Sequence, residues 1–357
     1  MKNHTRENIA GMEGYVPGEQ PKDRTYIKLN ANENAYPPSP RVGEALAAFA
    51  ANRLRVYPDP VANELRREAA RLADLPDENW VICGNGSDDL LTIGVRTFVD
   101  QGGAIASFDP SYSLYPVLAD IQGADCVLIP LTAEFEMPPD CLEQAAGASV
   151  LFIVRPNAPT ANSFPMAEVR TICQGFDGVV WIDEAYADFA EDNCLGLVKE
   201  FSNVVVSRTF SKSYAMAGIR LGLAFAHPAM IEQMLKVRDS YNVGMLPQIA
   251  GLAALRDQGY MAEMTGKIKK NRAWLSDQLT ALGVTVFPSQ ANFIFCQPPL
   301  PARDYVQAMR EEGVLIRYFS AERTRQYVRI TIGDDQECQA VVAATTRILN
   351  RKKSDDD

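Results

Sequence analysis

Histidine is almost missing from this chain of 357 residues: only His4 and His227 occur, far apart in sequence. A zinc site built on histidine, or a Ser-His-Asp triad, is therefore not expected. Cysteine occurs at positions 83, 126, 141, 173, 194, 296 and 338, and never as a CxxC pair. Thiols scattered through apolar or helical stretches suit reduced core residues of a cytoplasmic protein, not a disulfide framework. No run approaches the ~18 apolar residues of a membrane span, and the opening MKNHTRENIAGMEGYVPGEQ has no apolar stretch of the kind a secretion leader carries. Basic excess is absent too. With 35 Lys and Arg against 45 Asp and Glu, the net charge of −10 argues against a nucleic-acid-binding surface. The nucleotide signatures GxGxxG after a strand and GxxxxGK[ST] are also lacking.

What is present is a rhythm. From residue 80, short apolar runs (WVICG at 80–84, GAIASF at 103–108, ASVLFIV at 148–154, GVVWID at 178–183, NVVVSR at 203–208, LGLAFA at 221–226) alternate with stretches of helical spacing. Uninterrupted apolar runs suit strands buried on both faces, and their alternation with helices predicts an α/β fold with a mainly parallel sheet. One expected helix is VANELRREAARLADL at 61–75, where Val61, Leu65, Ala69 and Leu72 share a face. Around residue 250 the pattern changes. A helical tract at 248–282 leads into strand-like VTVFPSQANFIFCQ, a helix near 302–312, then VLIRYF, YVRITIG and a last helix. This reads as a smaller α+β domain. The expected division is an N-terminal arm at 1–28, a crossing segment at 29–44, a large domain at 45–250, a small domain at 251–350 and a disordered tail at 351–357.

Ligands of open α/β sheets bind outside the carboxyl ends of the strands, so the residues after each apolar run carry the most information. GNGSDDLL at 84–91 turns a strand into a helix whose N-terminus, with Gly86, Ser87 and Asp88, offers donors to an anion; an ordinary helix cap explains the same residues. Asp183 ends an apolar strand, where a carboxylate is costly unless it meets a positive group or backbone donors. Asn157, in RPNAPTAN, is either a donor to a ligand or a simple turn residue. Tyr112 is either a stacking face or a core aromatic. Lys212 lies in SRTFSKSYAMAGIR among hydroxyls, with Ser211 beside it and Arg220 eight residues on. A lone loop lysine is usually solvated. A carboxylate, a phenol, an amide, a lysine and an anion cradle at successive strand ends together suit a charged aromatic cofactor that carries a phosphate.

In this order, these residues resemble the cofactor set of fold type I pyridoxal-phosphate aminotransferases, and more narrowly the histidinol-phosphate aminotransferase family. GYVPGEQP, LNANEN, YPDP, GNGSDDL, DPSY, PNAPT, DEAYADF, RTFSKSYAMAGIR, PSQANFIF and VRITIG carry the resemblance over residues 14–333. It implies pyridoxal 5'-phosphate as cofactor, with Lys212 as the residue that bonds it and Asp183 on its ring nitrogen. It further implies Tyr186 and Asn157 on the ring hydroxyl and Tyr112 stacked on the ring. Gly86, Ser87, Asp88, Ser211 and Arg220 are implied around the phosphate. Tyr57 would reach the cofactor phosphate of a neighbouring subunit, which implies a homodimer with shared active sites. Arg329 and Arg317 would receive a substrate carboxylate or phosphate, and Tyr15 and Asn34 are expected near the substrate. The chain departs from the usual pattern at Ala35, Ala158, Ala161, Ser213 and Tyr214.

The implied reaction interconverts L-histidinol phosphate plus 2-oxoglutarate and imidazole acetol phosphate plus L-glutamate, with small-molecule partners only. Other readings stay open at this point: an aromatic amino-acid aminotransferase, a threonine-phosphate decarboxylase, or a ligand-sensing protein on an aminotransferase-like domain.

Overall fold

The computed structural model describes residues 4–14, 19 and 25–356. Its strands are β1 (Ile27–Lys28), β2 (Val81–Gly84), β3 (Ala104–Asp109), β4 (Asp125–Pro130), β5 (Val150–Val154), β6 (Val179–Asp183) and β7 (Val204–Thr209), followed by β8 (Gly222–Ala226), β9 (Thr285–Val286), β10 (Phe293–Gln297), β11 (Val314–Leu315), β12 (Arg317–Tyr318) and β13 (Val328–Thr331). The apolar runs expected as strands become β2, β3, β5, β6, β7 and β8. They form one seven-stranded sheet with β4, in the order β2-β8-β7-β6-β5-β3-β4. Only β8 runs against its neighbours. β5 and β8 are buried along their whole length, as a sheet covered on both faces requires. β4 was not legible as a strand because it is an edge: Asp125, Leu128 and Pro130 are exposed and its apolar pattern is broken.

The chain leaves β3 outward to β4 and then returns to β5 on the other side, so strand order reverses between β3 and β5. Such a reversal opens a crevice at the carboxyl ends. Register brings those ends level: Val154 pairs with Asp183, and Asp183 with Ser207. Helices fill both faces, with apolar clusters on either side of the sheet.

The smaller domain holds an antiparallel sheet in the order β12-β13-β10-β9, and β1 pairs in parallel with β11 beside it. The helical tract expected at 248–282 is two helices, Met245–Leu255 and Gln258–Ala281, broken at Asp257, which leaves helical geometry. The helix expected at 61–75 spans Asn63–Leu72, and its buried face holds Leu65, Arg66, Ala69 and Ala70. Leu72 is exposed, while the Arg66 guanidinium is drawn inward by the carbonyls of Val81 and Glu78. The expected disordered tail is also corrected. The last helix runs from Asp335 to Asp356, anchored where Arg347 and Arg351 both pair with Glu312. Helix propagation through Arg351-Lys352-Lys353 costs little once such an anchor exists.

Candidate active site

A cavity of about 270 Å³ opens at the carboxyl ends of the large sheet, between the two domains. At its floor Asp183, the last residue of β6, is buried. Its Oδ2 accepts from the Tyr115 hydroxyl at 3.2 Å and its Oδ1 from the Ala185 N–H at 3.2 Å. Burial, with the Asp88 charge, pushes its carboxyl up to about 6. Among the described residues no cation pairs with it. A buried carboxylate so arranged fits a cationic ring nitrogen as its missing counter-charge.

Lys212 enters the same cavity from the loop after β7. Its Nζ donates to the Ala31 carbonyl at 3.3 Å and lies 5.7 Å from the centre of the Tyr186 ring. Burial, aided by the Arg329 charge, lowers its ammonium to about 8. An amine so tuned is deprotonated to a useful degree near neutral pH, as a nucleophile or general base must be.

The third component is an anion cradle. The helix Ser87–Phe98 begins at the cavity wall, so its first N–H groups lack intrahelical partners. Gly86 precedes it with φ +90°, and a Cβ there would lie 2.5 Å from Arg220 Nη2. A side chain at Gly222 would come within 2.6 Å of the Ser87 nitrogen. Glycine at both positions lets backbone and guanidinium close on one spot. Arg220 donates to Ser211 Oγ at 3.2 Å and faces Asp88 Oδ2 at 3.5 Å. The other oxygen of Asp88 accepts from the Tyr112 hydroxyl at 3.1 Å. Asp88 thus orders the cation and the phenol around the cradle.

On the small-domain side stand Arg317 and Arg329. Arg329 packs between Phe293 and Phe319, with ring centres 5.3 and 5.5 Å away, and donates to the Asn30 carbonyl at 3.1 Å. Tyr186 lies below, its ring edge-on to Phe293 at 5.0 Å and its hydroxyl accepting from Asn32 Nδ2 at 3.0 Å. Burial holds its phenol above the usual value, a rise that the Arg329 charge and the Asn32 bond only partly offset.

Of the residues expected from sequence, Lys212, Asp183, Tyr186, Ser87, Asp88, Tyr112, Ser211, Arg220, Arg317 and Arg329 all line this cavity. Asn157 does not. It is fully enclosed, its amide hydrogens directed to the Pro110 carbonyl at 3.0 Å and Thr160 Oγ1 at 2.7 Å, while Ala158 and Pro159 take the wall. Gly86 acts as the helix cap behind the cradle. Asn34 is not on the wall either: its Nδ2 donates to the Lys212 carbonyl at 2.8 Å. Tyr57 is 77% exposed and stacks on Tyr241 at 4.4 Å, away from this chain's own cavity. Tyr15 lies outside the described residues. Sequence reasoning missed Tyr115, Asn32 and Phe319, whose parts follow only from packing between distant segments.

The sequence description of aminotransferases of class I and II matches residues 24–344. The chain belongs to this family. Among its relatives is a histidinol-phosphate aminotransferase of Geotalea daltonii, 44% identical over 96% of this chain and 99% of that protein. Another, from Synechocystis, is also 44% identical, over 95% of this chain and 96% of its own. The fold is shared with the crystal structure of histidinol-phosphate aminotransferase from Sinorhizobium meliloti in complex with pyridoxal-5'-phosphate, at TM-score 0.88 and 24% identity over 98% and 99% of the two chains. For an aminotransferase of this family, the amine, the uncompensated carboxylate and the anion cradle found here are the parts the chemistry needs.

Proposed function

We propose that this aminotransferase moves the amino group of L-histidinol phosphate to 2-oxoglutarate, giving imidazole acetol phosphate and L-glutamate, with pyridoxal 5'-phosphate held in the cavity. The observation that carries this reading is the pairing of Asp183, buried without a cation, with Lys212, an amine lowered to about 8, in one cavity. The curated relatives named above are histidinol-phosphate aminotransferases along nearly their whole length.

When bound, the cofactor supplies an electron sink for the carbon that carries the amino group. The protein's residues do the rest. Ser87, Ser211 and Arg220 hold the phosphate at the helix N-terminus. Asp183, once it meets a positive ring nitrogen, keeps the proton there. Tyr112 and Tyr186 border the ring. Lys212 Nζ would take the substrate's α-proton, which needs the neutral amine that burial favours. Arg329 and Arg317 receive the phosphate of one substrate and the distal carboxylate of the other, because guanidinium pairs bidentately with both anions. Phe293 and Phe319 fix the Arg329 plane.

The functional unit in this reading is a homodimer. Tyr57 and Tyr241 stack on each other and are both left exposed, and Leu54 and Val56, just before Tyr57 in the chain, are exposed too, the kind of apolar surface a partner covers. Tyr57 then serves the partner's cofactor phosphate. All seven cysteines are free, in keeping with the cytoplasmic location in this reading. No helix among the described residues is long and apolar enough to cross a membrane. The residue ranges 45–250 and 251–350 remain the proposed large and small domains.

Turnover measured side by side with histidinol phosphate, phenylalanine and threonine phosphate tests the substrate. Preference for the first by at least about a hundredfold in kcat/KM is expected, as for a site with dedicated anion donors. Equal use of phenylalanine would overturn it.

A further inference from the structure

Asn32, on the cavity wall, has its backbone N–H and carbonyl and both side-chain polar atoms engaged. It is 1% exposed and holds left-handed backbone geometry at φ +55°, which asparagine tolerates better than most residues. Its N–H donates to Thr331 Oγ1 at 3.0 Å, and the Thr331 hydroxyl returns its own hydrogen to Asn32 Oδ1 at 3.2 Å. Its carbonyl accepts from Asn292 Nδ2 at 3.1 Å. What is left is Nδ2, which donates to the Tyr186 hydroxyl at 3.0 Å.

The direction of that last bond decides what Tyr186 can do. An amide nitrogen only donates, so the phenol oxygen must accept, and its own hydrogen is free to point elsewhere. With the amide reversed, Tyr186 would donate to the side-chain oxygen. The Thr331 hydroxyl, 2% exposed, would then lose its acceptor, and a buried hydroxyl without one costs free energy. Thr331 thus sets the amide and the amide sets the phenol. Tyr186 lines the cavity, so the direction left open for its hydrogen is inward.

We propose that Asn32, oriented by Thr331, is a positioning residue that holds Tyr186 as a hydrogen-bond donor toward the cofactor's ring oxygen. The inference rests on the pyridoxal-phosphate reading of the cavity. It assigns Asn32 no contact with reacting atoms; its effect passes through the Tyr186 hydroxyl. Because Asn32 belongs to the segment between the domains and Thr331 to β13, the donor is set only when the small domain is docked on the large one.

Asn32→Asp keeps the size but supplies an acceptor, which draws the Tyr186 hydrogen away from the cavity. The test uses the full chain freed of cofactor and titrated with pyridoxal phosphate, reading cofactor Kd and the pH midpoint of the bound cofactor's visible absorbance. Asn32→Asp and Tyr186→Phe are each expected to weaken Kd about tenfold, the worth of one hydrogen bond to a charged group. Both should raise the midpoint, since a ring oxygen that loses a donor holds a shared proton more tightly. The double variant should be no weaker than Tyr186→Phe, because the two changes remove one interaction. If Tyr186→Phe alters neither reading, the cofactor assignment of Tyr186 fails. If Tyr186→Phe alters them and Asn32→Asp does not, or the two losses add, the orienting role is overturned. Should Asn32→Asp not fold, Thr331→Val frees the amide to turn, and a midpoint unchanged there would equally overturn it.

Discussion

The Lys212 carbonyl accepts a hydrogen bond from Asn34 Nδ2 at 2.8 Å, across 178 residues of sequence. Asn34 Oδ1 is held by the Tyr36 N–H at 2.9 Å, so the amide is aimed and the lysine loop is clamped from the segment that joins the domains. On its other side the loop is tied down by Ser213, which donates to Asp188, itself paired with Arg208. Asn34 is off the cavity wall, and its expected part is to position Lys212. Asn34→Ala is expected to lower kcat about tenfold or more, since small displacements of a reacting group are costly, while KM for both substrates changes little. Steady-state kinetics separate the cases: a large rise in KM at constant kcat would return Asn34 to substrate binding.

The uncompensated Asp183 predicts how the cofactor-free protein responds to pH. Its carboxyl is raised from 3.8 to about 6, so between about pH 4 and 6 the folded state holds more protons than the unfolded one. The stability it contributes is present below that window and lost as pH rises through it, by about 3 kcal/mol for a shift of this size. Urea unfolding of the cofactor-free protein should show the decline, and Asp183→Asn should flatten it. The slope is the readout, because asparagine also disturbs the bond to Ala185. Saturating cofactor should abolish the decline in the unsubstituted protein, as a ring cation replaces the missing counter-charge. An identical slope in both cofactor-free proteins would mean that Asp183 is not the group strained by burial.

Much of this was legible in the sequence because strand ends announce themselves. Asp183, Lys212 and the GNGS turn each follow an apolar run, and a parallel sheet gathers such ends on one edge. Direction was not legible. Asn157 carries an amide in the expected place, yet Pro110 and Thr160 take its hydrogens, and no pattern of residue types reveals which way a side chain turns. Tyr115 and Asn32 were invisible for a related reason. Tyr115 lies 68 residues from Asp183, and Asn32 lies 299 from Thr331, so their partners exist only after the chain has folded. The helical course of 351–356 was missed because composition spoke for disorder while Glu312, far back in the chain, supplies the anchor.

Arg329 is expected to serve both substrates. Held between Phe293 and Phe319, its guanidinium is ready to receive an anion. Arg329→Ala should raise KM for histidinol phosphate and for 2-oxoglutarate alike, by about a hundredfold, the usual cost of removing one partner of a desolvated ion pair. Arg329→Lys should recover only part of the loss, because lysine neither stacks nor forks. Separate KM measurements for the two substrates decide the matter. A loss confined to 2-oxoglutarate would mean that the phosphate binds elsewhere.

Tyr57 and Lys212 give the sharpest test of the proposed dimer. Tyr57 stands 77% exposed on one face, while Lys212 sits inside the cavity. Lys212→Ala and Tyr57→Ala homodimers should each be impaired. Refolded together, half of the dimers are mixed, and each mixed dimer carries one site with both residues intact only if Tyr57 crosses to the partner. Activity should then recover to about a quarter of the unsubstituted protein's, by counting sites in a random two-fold assembly. The mixed preparation should also show half as much lysine-bonded cofactor as the unsubstituted protein. Failure of activity to rise on mixing, with mixed dimers verified by mass, would confine Tyr57 to its own subunit and remove the shared site.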